Sequence, residues 1–353
     1  MAQTAIADLW TPQIWIQGAD EAARILPSFL TSGAILRSPV FDEIASGGGV
    51  SANLPMFKDI SDIPDTPQVE STAPTLDKIT AGVNVSPILN REKAFGASAL
   101  SAAVSDGDPI GAILRQLGLR RQKQRQVTAL NILRGLFGSG GATPATGAAL
   151  LAQLNDHFTE TGAGAAAPNL ITTAYINGTI ALMGETTSSL QNGAILLHPV
   201  IHAALKTIDA SSFDTMPSQQ GLRIPTYQGI PVWDSALLSR AGTTSGFVFE
   251  TYFVGPGAIA WGEKPQVATP DAASLQIYPR PDLNDIYIYD RSRYLLHVNG
   301  TKFVGTPAGQ SATNAELATL ANWQFIGTPT GASPLPPAGA GLGIPIACLR
   351  TNG

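Results

Sequence analysis

Apolar residues recur at helical spacing over one long stretch of the chain and alternate at strand spacing over many short ones. Asp108 is an N-cap with Pro109 at the first helical position, and Gly138 is a stop, so a helix is predicted over Asp108 to Phe137. At 1.5 Å per residue it forms a rod of roughly 40 Å. Ile110, Ile113, Leu114 and Leu117 make one apolar face, and Val127, Leu130, Leu133 and Phe137 make another about half a turn round. Two faces set apart predict two different packing partners. Upstream, a Gly47-Gly48-Gly49 break precedes strand-like segments at Ser51 to Ile60, Ile79 to Leu89 and Ala94 to Leu100. With the turn-rich Asp62 to Pro74 between them, these read as one long two-stranded excursion. An isolated hairpin is marginal in water, so this one needs another surface to lie on.

Residues 1 to 45 read as an irregular arm broken by Pro12, Pro27 and Pro39, with helical spacing only from Gly18 to Leu30. Its Trp10, Trp15, Phe29 and Phe41 cannot form a core alone and must dock elsewhere. Beyond the long helix, the pattern predicts helices at Thr172 to Leu190, Pro199 to Ile208 and Thr313 to Trp323. It predicts strands at Ala194 to Leu197, Ile224 to Trp233, Gly246 to Trp261, Asp285 to Asp290 and Tyr294 to Val304. Gly327 to Gly343 is a Gly/Pro/Ala-rich linker or surface loop. No repeat of solenoid period occurs, and the irregular mixture of helices and strands points to an α+β fold.

Composition removes several function classes. Of 353 residues, 44% are hydrophobic and only 13% charged, about half the usual charged share of ~25%. That argues against disorder, and 36 Gly with 26 Pro argue against a coiled coil. A single cysteine, Cys348, excludes an internal disulfide or a four-cysteine zinc site. The segment MAQTAIADLW lacks a basic stretch and an uninterrupted apolar run, and no run in the chain reaches the ~20 apolar residues of a membrane span. Synthesis in the cytoplasm is expected, so the Asn-Gly-Thr sequons at Asn177 and Asn299 carry no weight.

No assembled catalytic constellation emerges. His198 and His202 have zinc-helix spacing, but the residue that should be the activating Glu is Pro199. Gly162, Gly164 and Ala167 match a dinucleotide fingerprint without the strand-to-helix context, and Gly257 to Lys264 departs from a phosphate loop where Gly-Lys-Ser/Thr is required, reading Gly262-Glu263-Lys264-Pro265. Asp59 and Asp62 read as turn formers, and Cys348 has no nearby positive helix end. Neither a cofactor nor a metal is expected.

Charge, however, is segregated. The net charge is -5, yet the long helix holds Arg115, Arg120, Arg121, Lys123, Arg125 and Arg134 with no acid after Asp108. With the capping Asp108 counted outside the helix, that leaves 15 of the 21 Lys and Arg to face 26 Asp and Glu, a balance of -11. The cluster Arg120, Arg121, Lys123 and Arg125 lacks acidic partners one turn away, so a polyanion or an acidic neighbour is needed to balance it.

The sum of these features resembles the major capsid proteins of tailed bacteriophages, with the HK97-like fold. The resemblance rests on "ADLWTPQIWI", "AILLHPVIHAAL", "TYQGIPVWDSALL", "YFVGPGAIAWGEKP" and "DIYIYDRSRYLLHVNGTKFVGTPAGQSATNAEL", in that order, over nearly the whole chain. It implies an N-arm at 1–45, an E-loop at 46–100 and a P-domain at 101–190 holding the spine helix 108–137. It further implies an A-domain at 191–264, P-domain return strands at 265–305 and a C-terminal segment at 306–353. The function implied is a self-assembling, non-catalytic coat of hexamers and pentamers closing an icosahedral virion head, made in the host cytoplasm. Its partners would be further copies of the chain, packaged double-stranded DNA by non-specific contact, and portal, scaffold or decoration proteins, with no membrane. Trp10 and Trp15 become candidate N-arm anchors, Phe57 and Lys58 candidate E-loop contacts, and the basic cluster a candidate inner-face or intersubunit site. The arm starts at once, which implies a separate scaffold protein or none. Lys58 and Lys78 lie in the E-loop without a recognisable acceptor, so no covalent cross-link is expected. The alternative class is a soluble enzyme or ligand-binding α+β domain.

Overall fold

A computed structural model of the chain describes residues 32–57, 67–68, 76, 78–79, 81–98, 109–138, 150–158, 169–217, 223–242, 246–264, 275–280, 285–326 and 344–353. The expectations for Gly18 to Leu30 and Gly327 to Gly343 lie outside these residues. In chain order the elements begin β1 (Ile35–Arg37), α1 (Pro39–Ser46), β2 (Ser51–Phe57), β3 (Ala81–Ser98) and α2 (Pro109–Phe137). Next come β4 (Leu154–Asp156), α3 (Thr173–Ala181), β5 (Ala194–Leu197), α4 (Pro199–Ile208), β6 (Phe213–Pro217), β7 (Arg223–Tyr227) and β8 (Ile230–Asp234). The last are β9 (Ser239–Ala241), β10 (Phe247–Val254), β11 (Ile259–Glu263), β12 (Leu275–Arg280), β13 (Asp285–Val298), β14 (Thr301–Phe303), α5 (Asn314–Leu317), β15 (Trp323–Phe325) and β16 (Ile346–Thr351).

The strands form two sheets. One has the order β1-β11-β13-β3-β14-β15, with β12 added on β13 and β2 on β3; the other runs β4-β16-β10-β5-β8-β7-β6, with β9 on β10. Helix α2 sits between them, and Gly138 ends it at φ +78°. Its first half is partly exposed. From Gln126 onward it is buried on nearly every side, because Ala129, Ile132 and Leu136 are covered as fully as Leu130, Leu133 and Phe137. The two expected faces therefore become one half-covered stretch and one enclosed stretch. Leu89, Tyr294, Leu296 and Val298 of the first sheet and Leu196, Tyr252, Ile346 and Cys348 of the second meet in this shared core.

Each sheet also covers its outer face. The far side of the first carries Ile88 and Leu295, neighbours in register, beneath Phe41 of α1. The far side of the second packs Ile195, Leu197, Phe253 and Leu349 against Ile176 of α3 and Ile201 and Leu205 of α4. The strict alternation of β13 is what lets one strand serve two cores.

Several boundaries differ from the sequence reading. The two strands expected at Ile79 to Leu89 and Ala94 to Leu100 are replaced by one continuous 18-residue strand, β3, Ala81–Ser98. The polar interval Asn90 to Lys93 continues it because each residue has a partner on β13, Arg293 to Asp290 in register. The helix expected over Thr172 to Leu190 is α3, capped by the Thr172 hydroxyl, followed by 3-10 turns over Gly184–Asn192. Gly184, at φ +57°, marks the change. In Thr313 to Trp323 only α5 is α-helical; it has a capping box between Thr313 and Glu316, and Trp323 begins a strand.

His297 on β13 is fully buried, and neither ring nitrogen has a hydrogen-bond partner among the described residues. Burial pushes its pKa down from 6.5 to about 4. Its folded form is neutral, whereas an unfolded chain takes up a proton below about pH 6.5, so stability falls as pH drops from 6.5 toward 4. The full effect is about 3 kcal/mol. Denaturant midpoints of the unassembled subunit at pH 7 and pH 4.5 are expected to differ accordingly, and His297→Leu is expected to remove much of that difference.

Candidate assembly surface

The hairpin leaves the first sheet at a defined root. Ile88 to Ser98 of β3 pair with β13, while Ala81 to Pro87 pair with β2 across Phe57 to Ser51. A single bridge from β14, Lys302 to Val85, supports the hairpin strands. Arg293, on the outer face of β13, donates to the carbonyls of Ala45, Gly47 and Gly49, at 2.8, 2.6 and 3.0 Å, and so ties down the turn between α1 and β2. Beyond this root, apolar groups lie open: Phe57 is 72% exposed and Val83 43%. Leu76 and Ile79, in the connection to β3, are exposed as well. Lys58, Trp10 and Trp15 lie outside the described residues.

The basic cluster meets acids that only the fold supplies. Arg120 Nη1 lies 3.0 Å from Asp290 Oδ2, and Arg121 Nη2 lies 2.5 Å from Asp290 Oδ1. Arg125 Nη2 reaches Glu263 at 2.5 Å and its guanidinium stands 5.1 Å from the Trp261 ring centre. A second cation, Arg37, stands 5.3 Å from the Trp261 ring centre and also pairs with Asp42 at 2.9 Å. Lys123 is half-buried and makes no ion pair among the described residues. The acids that answer these cations are not within one turn of the helix but on β11 and β13. Between α2, β3 and β13 these arginines line a polar cleft of about 200 Å³, with Arg91 donating to Asn314 Oδ1 at 3.2 Å.

A second charged cluster, invisible in the sequence, lies deep in the shared core. Glu250 on β10 is fully buried and accepts from Arg134 Nε at 2.7 Å and Arg240 Nε at 3.0 Å. Arg350 of β16, 1% exposed, reaches Asp156 at 3.4 Å and donates to the carbonyls of Phe137 and Gly138, capping the C-terminus of α2.

The motifs set aside in the sequence have ordinary structural uses. His198 caps α4 by accepting from the Val200 amide, and His202 Nδ1 lies 2.8 Å from Asp234. Gly257, at φ +66°, turns the chain into strand β11 rather than a helix. Cys348 is fully buried, and burial pushes its thiol up to about 12. Gly162, Gly164, Ala167, Asp59 and Asp62 lie outside the described residues. Among the described residues no three His, Cys, Asp or Glu side chains cluster as metal ligands.

No family model matches the sequence. The major capsid protein of Bacillus phage SPP1 is 27% identical over 335 residues, covering 93% of this chain and 96% of that protein. The capsid of Ralstonia phage GP4 superposes with a TM-score of 0.57 at 12% identity, over 85% of this chain and 94% of that one. The Cyanophage Pam1 capsid gives a TM-score of 0.53 at 12% identity over 100% of both chains. The chain thus has the HK97-like capsid fold and is related along nearly its whole length to the major capsid protein of a bacteriophage.

Proposed function

We propose that the chain is the coat subunit of a phage head, assembling through its own copies into hexamers and pentamers that close an icosahedral shell around double-stranded DNA. The role is mechanical and non-catalytic. The observation that carries this reading is a hairpin that leaves its sheet with Phe57 and Val83 open to solvent, on a chain related over 93% of its length to a capsid protein. Two strands with exposed apolar groups are too weak a unit to stand alone, and a neighbouring subunit supplies the surface they need.

In this reading residues 1–45 form the N-arm, anchored on neighbours by Trp10 and Trp15. Residues 46–100 form the E-loop, with Phe57 and Lys58 in contact. Residues 101–190 and 265–305 form the P-domain around α2, and 191–264 form the A-domain. Residues 306–353 are a C-terminal segment whose strand β16 returns between β4 and β10. The cluster Arg120, Arg121, Lys123 and Arg125 faces the interior or an acidic neighbour. DNA contacts are sequence-blind, and portal, scaffold or decoration proteins join a shell built from subunits made in the host cytoplasm. Negative-stain microscopy of the expressed chain is expected to show uniform shells or capsomers, whose protein runs as single chains without a covalent ladder on a denaturing gel. A discrete monomer under conditions where related coats assemble overturns the reading.

A further inference from the structure

Helix α1 lies on the outer face of the first sheet as a short strap. It has eight residues, buries Phe41 and Ala45 of them, and its N-cap Ser38 makes no side-chain capping bond. A helix of that length does not hold itself together in water, so its place depends on what it touches. Beneath it the outward side chains of β13 follow one another. Arg293 donates to the carbonyls of Ala45, Gly47 and Gly49, Leu295 comes next, and the His297 ring centre lies 6.3 Å from that of Phe41. Gly262 of β11 permits the close approach, since a Cβ there would overlap the Phe41 backbone. The apolar cluster under the strap is small. It consists of Phe41, Ala52, Ile88, Ala260 and Leu295, with Ile44 and Leu54 packed against it.

His297 is the weak point of this seat. It is fully buried and neither ring nitrogen has a hydrogen-bond partner among the described residues, so a second proton would place a full charge beneath Phe41 with no acceptor to take it. The ionisable groups on the elements packed there are engaged elsewhere or carry the wrong sign. Asp42 of α1 is held by Arg37 and by the Glu263 amide, Glu43 is exposed, Glu263 of β11 pairs with Arg125, and Arg293 is itself a cation. Strand β2 and the outward residues of β3, Ser86 and Ile88, have none. We propose that α1 is an acid-released strap: protonation of His297 lifts it from the first sheet and frees the turn into β2. Strand β13 does not yield, because it is hydrogen-bonded to β3 on one side and β11 on the other. The ties of α1 are few: the Arg37–Asp42 pair, the Ser38 amide to the Trp261 carbonyl at 2.9 Å, and the bonds from Arg293. Burial holds the seated histidine at about 4, and uncovering returns it toward 6.5, so the lifted form takes up the proton and gains as pH falls through that window. From these two values, lifting is about twentyfold more favourable at pH 5 than at pH 7. Ala52 of β2 shares the same cluster, so release of α1 also loosens the root of the hairpin.

Hydrogen exchange of the full-length chain reads the strap directly. Amides of Asp42 to Gly47 are followed at pH 7 and pH 5 in the same assembly state, corrected for the pH dependence of chemical exchange, with Ile132 to Leu136 of α2 as internal reference. An increase of about twentyfold in the opening of α1, with α2 unchanged, is expected. His297→Leu removes the proton site and leaves every other titratable group in place, so α1 is expected to stay protected at both pH values. Phe41→Ala removes the cover and keeps the histidine. In that variant α1 is expected to be open already at pH 7 and to gain little at pH 5, a result that stands even if the leucine variant fails to fold. Unchanged α1 exchange between the two pH values overturns the strap. An equal rise in His297→Leu overturns it in favour of carboxylates such as Asp42 and Glu43, and loss of protection in α1 and α2 together overturns it in favour of global unfolding.

Discussion

Replacing Glu250 with alanine is expected to lower the unfolding free energy of the unassembled subunit by about 3–5 kcal/mol, the cost of removing one partner from a buried ionic cluster. Glu250 is fully buried and stands between Arg134 and Arg240, both less than a fifth exposed. Its loss leaves two guanidiniums in the core without the carboxylate that both of them reach. Burial by itself would raise the Glu250 pKa, but Arg134, Arg240 and Arg350 outweigh it and hold the carboxyl below its ordinary value of 4.5. The group therefore contributes stability above about pH 4.5, and that contribution disappears as pH falls through the lower folded value. Denaturant unfolding at pH 7 measures the alanine effect. The control is simultaneous replacement of Arg134, Glu250 and Arg240 by methionine or leucine, expected to cost far less than the single change. A single variant within 1 kcal/mol of the parent would falsify the cluster's role.

Trp323→Ala is expected to cost about 3–5 kcal/mol by leaving a cavity and an unanswered carbonyl. The indole is 2% exposed, donates to the Leu317 carbonyl at 2.8 Å and meets the Phe303 ring edge-on at 5.2 Å between centres. Gly135 of α2 leaves room for it, since a Cβ there would overlap the Leu317 carbonyl and the indole nitrogen. Trp323 therefore joins the C-terminal part of α2 to α5 and β14. Thermal unfolding of the subunit reads the loss, and Gly135→Ala is expected to shift it in the same direction. If both variants melt with the parent, the contact contributes nothing.

The elements whose local signals agree were legible before any coordinates. Helix α2 announces itself by a proline at its start, a glycine at its end and apolar spacing between, and α4 by Pro199 at its first position. The strand character of the hairpin could also be read from alternation. What failed was segmentation. Polar residues at Asn90 to Lys93 look like a break in a sequence, yet β13 pairs with each of them and the strand continues. The run Thr172 to Leu190 looks helical throughout, but a glycine at positive φ tightens its second half into 3-10 turns.

The candidate site divides along the same line. The surplus of cations on the helix, and the lack of acids within one turn of it, are properties of covalent order and needed no fold. Which acids answer those cations is a property of proximity across 138 to 170 positions, where Glu263 and Asp290 come to Arg125 and Arg120. No periodicity links residues that far apart, so the pairing could not be read locally. The same holds for Glu250 and Arg350, polar residues on strands that look merely interrupted in sequence and prove to be the centre of a buried cluster. Sequence by itself determined the helix, the strand alternation and the uneven charge, because each depends on neighbours a few residues away. Only the tertiary structure decided which strands pair and which charges are neutralised, because these depend on which distant segments are driven together to bury their apolar faces.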